Sequence, residues 1–192
     1  ATYESTSSTD LGGVVTTSAG PASKIKVANN FFLTFEPTSN TSLVANLELE
    51  NNNINIEAGA TFSGTGALVI PDGSHVVLDN GANVNVLLAN DGALRPGNFD
   101  GIGAVTVKDY QQGDTGELYI ELAGTLLNQF DRVLVAGNAV LDGYLNLDID
   151  GGFVPALGNT FDIISSTFGV SGTFDTIDVS GMPAGLAFHV DY

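Results

Sequence analysis

Oxygen donors recur at the turns of this chain. Asp72-Gly73, Asp79-Asn80-Gly81, Asn90-Asp91-Gly92, Asn98-Phe99-Asp100 and Asp148-Ile149-Asp150-Gly151 each bring carboxylate or amide oxygens to a point where the backbone reverses. Hard divalent cations take carboxylate, amide and backbone oxygens in such turns. Asp79, Asn80, Asp91, Asp100, Asp148 and Asp150 are therefore the candidate calcium ligands. Asp, Asn and Gly are also what turns are ordinarily made of. Neither an EF-hand loop nor a Gly-Gly-x-Gly-x-Asp repeat occurs to strengthen the calcium reading.

Other chemistries have less to stand on. Glycoside hydrolysis needs two carboxylates facing one groove. Asp148 with Asp150, Glu117 with Glu121 and Asp175 with Asp178 are the pairs in reach, and 22 acidic residues produce such pairs by chance. Elimination chemistry on polysaccharides wants a Lys or Arg base beside a cation, and the five basic residues are scattered. His75 and His189 stand alone, each in a strand-like run. The chain has no Cys, which excludes thiol chemistry and disulfides, and no G-x-S-x-G nucleophile turn. Gly64-Thr65-Gly66 and Gly101-Ile102-Gly103 lack the helix and lysine of a phosphate loop. No catalytic or cofactor-binding residue is assigned.

The turns punctuate short β-patterned runs between Leu47 and Gly97. Ile54-Asn55-Ile56, Thr61-Phe62-Ser63, Ala67-Leu68-Val69-Ile70, His75-Val76-Val77-Leu78 and Asn83-Val84-Asn85-Val86 are too short for helices. Gly59, Gly66, Gly73, Gly81 and Gly92 mark a quasi-repeat roughly 7 to 11 residues long. Sustained short periods of this kind indicate an all-β solenoid, with aliphatics inward and Asn55, Asn83 and Asn85 outward.

Four segments follow from the pattern. Residues 1–23, rich in Ser, Thr and Gly, read as a flexible or donated N-terminal arm. Residues 24–42 read as cap strands, with Phe31, Phe32 and Phe35 sealing one end of the core. The β-solenoid is placed at 43–122, and a β-rich C-terminal section continuous with it at 123–192. There Leu118-Ile120-Leu122 and Leu145-Leu147-Ile149 alternate with polar partners, and Ala123 to Phe130 holds one helical turn at most. The run Leu186 to Tyr192 reads as a terminal alternating strand. Solenoid ends carry unpaired backbone, so a homo-oligomer or filament built through them is expected. Val14 and Val15 would be the pegs of the arm, and Phe188 and Val190 would lie at the opposite edge.

A resemblance sharpens this reading. Gly92-Ala93-Leu94-Arg95-Pro96-Gly97-Asn98, followed by Gly103-Ala104-Val105-Thr106-Val107, is similar to a motif of bacterial surface β-helix proteins. Gly116 to Leu122, Phe130 to Val135, Gly137 to Leu145, Gly152 to Pro155, Gly158 to Ile164 and Gly172-Thr173-Phe174 follow in the same order. The succession resembles the terminal β-helix region of autotransporter-type passengers and of exported proteins with a short C-terminal sorting tail. That resemblance implies a right-handed parallel β-helix, secretion, and a surface or matrix role. It carries no catalytic residues.

Charge limits the partners. A formal charge of −17 argues against nucleic acid, whose phosphates need clustered Lys and Arg, and against anionic membrane surfaces. No apolar run is long enough for a transmembrane helix. The expected role is a non-enzymatic extracellular or cell-surface structural protein, a self-assembling subunit of a layer, matrix or filament. An adhesive module that binds surface glycans is the alternative, and a polysaccharide-active enzyme a more distant one.

Overall fold

A computed structural model describes residues 2–5, 9–12, 14–16, 23–27, 31–97, 101–150 and 152–192. It is a parallel β-solenoid, with no helix among the described residues and about half the chain in strands. One sheet has eight strands in chain order: Thr9–Leu11, Leu33–Phe35, Ile54–Ile56, His75–Leu78, Ala93–Pro96, Glu117–Leu122, Tyr144–Ile149 and Thr176–Ser180. The other, of thirteen strands, bends over two sides of the coil. Its long strands Asn83–Asn90 and Ala104–Gln112 turn the corner between those sides, the first with a register shift between Val84 and Leu87.

Three of the short repeat units make one rung. Leu33 lies beside Ile54, Ile54 beside Val76, Val76 beside Leu94, Leu94 beside Leu118, and Leu118 beside Leu145. All six are buried, and they form one inward aliphatic column. Phe62, Val84, Val107 and Val135 form another, and Leu47, Leu68, Leu88, Tyr110 and Ala139 a third. Each Val, Leu, Ile or Phe side chain in them contributes about 1.5–3 kcal/mol on leaving water. Hydrogen bonds run between rungs, so any rung is held by its neighbours. Parallel sheets usually hide both faces and read as unbroken apolar runs. Here each sheet hides only its inner face, and the strands alternate instead, as in the buried-outward pattern of Glu117–Leu122.

Several expectations need correction. The leader was expected to be flexible or donated, but Thr2–Ser5, Thr9–Leu11 and Val14–Thr16 pair in parallel with Ser23–Val27, Leu33–Phe35 and Asn40–Leu43. These three strands therefore stack on the next rung of their own chain, and Val14 and Val15 sit beside Asn40 and Thr41. The phenylalanines do not form a seal. Phe35 is buried against Phe62, with ring centroids 5.0 Å apart, whereas Phe31 and Phe32 are exposed. The stack extends well beyond residues 43–122, from Thr9–Leu11 to Thr176–Ser180.

At the C-terminal end, Leu186 to Tyr192 is not a strand. It folds back over the last rungs. The Phe161 ring meets Phe130, Phe153 and Phe188 edge-on at 5.5, 6.1 and 5.9 Å, and Val190 packs on the core beside them. The Tyr192 hydroxyl accepts the Phe174 N–H at 3.2 Å. Phe188 and Val190 thus lie in a layer covering their own core. The segment Ala123 to Phe130 forms a loop closed by an antiparallel bridge between Leu122 and Phe130.

Candidate binding face

Outward residues of the eight-stranded sheet form a ladder fixed by the register. Thr34 stands beside Asn55, Asn55 beside Val77, and Val77 beside Arg95. Tyr119 then stands beside Asn146, and Asn146 beside Asp178. Neighbouring steps are separated by the strand spacing of about 4.8 Å. Arg95 joins the two halves, because its guanidinium carbon lies 3.9 Å from the centre of the Tyr119 ring. Residues 24 apart in sequence are stacked because Leu94 and Leu118 are register partners directly behind them.

The stack is locked from its far side. The Tyr119 hydroxyl donates to Glu117 Oε2, which also accepts the Asn146 amide at 3.3 Å. Burial, and then the bond to Glu117, push the Tyr119 hydroxyl up to about 12, so it stays protonated as a donor. Two clefts meet at Arg95. One, of about 380 Å³, is walled by Phe32, Asn55, His75 and Asp79. The other, of about 330 Å³, is walled by Tyr119, Glu121, Asn146, Asp148 and Asp178.

The calcium candidates are not brought together. Asp79 is half-buried at the end of His75–Leu78, and burial raises its carboxyl above the usual range despite an N–H from Ala58. Asn80 is exposed on the following turn. Asp91 leans over the next rung, towards Gly113. Asp148 is exposed and accepts the Ser180 hydroxyl, and Asp150 is exposed after the same strand. Asp100 lies outside the described residues. Among the described residues, no group of three or more His, Cys, Asp or Glu is arranged to hold a metal ion.

Two polar features went unread in the sequence. Asp131 is buried, with Oδ1 accepting the Gly103 N–H at 2.7 Å and Oδ2 the Glu121 N–H at 2.9 Å. Desolvation pushes its carboxyl up to about 7, against the pull of those two amides. The buried Asn90 amide donates to the Tyr110 hydroxyl and to the Glu117 carbonyl. Tyr110 donates in turn to Gln112 Oε1 at 2.6 Å, and Gln112 Nε2 faces the carbonyls of Gly116, Asp142 and Tyr144. These groups pin turns of successive rungs together, beneath the strand that carries Tyr119. The alternation of Tyr110 and Gln112 with exposed Gln111 was the only sequence signal for them.

The fold and this face define a parallel β-solenoid with a polar outer ladder. No family model, curated protein or solved structure matches the chain.

Proposed function

We propose that this chain is a non-enzymatic structural protein of the extracellular space or cell surface, a rigid solenoid that self-associates. The observation that supports this most is the uninterrupted parallel stack from Thr9–Leu11 to Thr176–Ser180, whose two ends differ. The last rungs are covered by the Phe161 and Tyr192 layer. Among the described residues, Thr2–Ser5, Thr9–Leu11 and Val14–Thr16 are paired on one side only. An edge strand accepts a further strand, from a preceding segment or from another copy, through main-chain hydrogen bonds. The partner proposed is a second copy of the chain. A composition without Cys is indifferent to an oxidising compartment.

Mutual repulsion at a charge of −17 opposes association, so salt should promote it. Sedimentation velocity over a range of protein and salt concentrations tests the reading, with electron micrographs of the same samples. Species that grow with both variables, seen as rods of constant width, are expected. A monomer under every condition overturns self-association. The adhesive alternative draws support from the two clefts meeting at Arg95.

A further inference from the structure

We infer that the outer face of the eight-stranded sheet is a binding site for a neutral, hydroxyl-rich glycan chain lying along the solenoid axis. The two clefts adjoin at Arg95, and together they line this face as a groove from Phe32 to Asp178. Its groups are suited to sugars. The exposed Phe32 ring, 58% accessible, offers a flat apolar surface at one end, and the planar Arg95 guanidinium, stacked on Tyr119, offers a flat donor surface near the middle. The C–H faces of pyranose rings lie on flat apolar surfaces, while amides and carboxylates bind the hydroxyls.

Hydrogen-bonding capacity is set out rung by rung. Successive strands are about 4.8 Å apart, close to the advance of one sugar unit along an extended glycan, and Thr34, Asn55, Arg95, Asn146 and Asp178 stand one or two strands from one another. In the Phe32 cleft, Asn55 Oδ1 and Asp79 Oδ1 have no hydrogen-bond partner. Both oxygens are shut off from solvent as they stand, so a ligand hydroxyl would reach either one only after its side chain rotates.

Charge selects among sugars. Among the described residues lining the two clefts, Arg95 is the one cationic side chain, against Asp79, Glu121, Asp148 and Asp178. An acidic polysaccharide would meet net repulsion there, whereas a neutral chain meets donors and acceptors without a charge penalty. The inference does not depend on self-association, because the groove lies along the rod and not at its ends.

Isothermal titration of the full chain with cellohexaose, xylohexaose and maltohexaose, and with an oligogalacturonate as the anionic comparator, tests it. At least one neutral hexasaccharide should bind saturably, and the oligogalacturonate at least ten-fold more weakly. Arg95→Gln and Phe32→Ala should each weaken that binding five-fold or more while leaving the far-ultraviolet circular dichroism and urea midpoint nearly unchanged. Both side chains are on the surface, so loss of binding with retained folding reports the groove. The inference is overturned if none of the three neutral hexasaccharides binds at millimolar concentration. It is equally overturned if the anionic oligomer binds best, or if both variants bind as the wild type does.

Discussion

Two glycines that look alike in sequence should respond very differently to one added methyl group. Gly66 and Gly73 both sit in turns of the short repeat. Gly73 has φ +76°, and a Cβ built there meets nothing within 4 Å. Gly66 is not in the left-handed region, but a Cβ there would stand 2.3 Å from the Ala45 carbonyl oxygen on the preceding rung. Restoring ordinary contact, which begins at 3.4 Å, means moving the two backbones apart by about 1 Å. That movement loosens the bonds from Thr65 N–H and Gly66 N–H to the Leu43 carbonyl, 2.9 and 2.8 Å long, and from Ala67 N–H to Asn46.

Overpacking costs about 1–3 kcal/mol, and each weakened bond up to about 1 kcal/mol more. For Gly73→Ala the left-handed backbone costs about 1–2 kcal/mol. Both substitutions regain about 0.4–1 kcal/mol from a stiffer unfolded chain. Gly66→Ala should therefore lose about 3 kcal/mol and Gly73→Ala about 1 kcal/mol or less. Urea titration followed by far-ultraviolet circular dichroism reads the difference as a midpoint gap of roughly 1 M. Equal midpoints, or a larger loss for Gly73→Ala, would refute the idea that close contact between rungs decides which turn glycines are essential.

Asp131 makes stability depend on pH in an unusual direction. Its folded value is raised to about 7 from an ordinary 3.8, so its contribution is fully present below 3.8 and lost as pH rises through 7. Asp131→Asn should remove that slope, up to about 1.4 kcal/mol per pH unit, from urea midpoints measured between pH 4.5 and 7.5. Phe161→Ala removes the ring that meets three other phenylalanines. It should cost about 3 kcal/mol and raise binding of a hydrophobic dye, as the C-terminal cover lifts. Glu50 is held below the usual carboxylate range by hydrogen bonds from Lys24 and then Lys26, but all three are well solvated. Glu50→Gln should therefore change the thermal midpoint little, by less than about 1 kcal/mol in stability, and less still in high salt.

How much of this was legible depended on distance along the chain. The alternation in His75-Val76-Val77-Leu78 and the glycine-marked turns reveal strands and a coil, because those signals are local. The length of a rung is not local. It is 18 residues from Val76 to Leu94, 24 from Leu94 to Leu118, 27 from Leu118 to Leu145 and 32 from Leu145 to Ile177. Arg95 and Tyr119 are brought together by that varying count, so no motif announces their stack. Phe32 was misplaced by composition, where the period of two that buries Leu33 and Phe35 turns it outward; Phe31 shares their parity but precedes the strand and is exposed. The leader was misread because its strands are small and polar, and only their pairing with the next rung reveals them. Asp131 sits where a bridge at Leu122 and Phe130 breaks the alternation, and a buried carboxylate there follows from the loop alone.

The most direct test of the whole arrangement is a distance ladder along the outer face. The chain has no Cys, so paired spin labels can be directed to single sites. One label stays at Thr34 while the other is moved to Arg95, Asn146 or Asp178, which lie three, five and six strands away in the same sheet. At about 4.8 Å per strand, pulsed electron paramagnetic resonance should give mean separations near about 14, 24 and 29 Å, widened by the label tethers. Separations that rise in that order, by about one strand spacing per rung, confirm a single in-register stack beneath the groove. Separations that stay level or change order would contradict it, and the proposed ligand face would lose its basis.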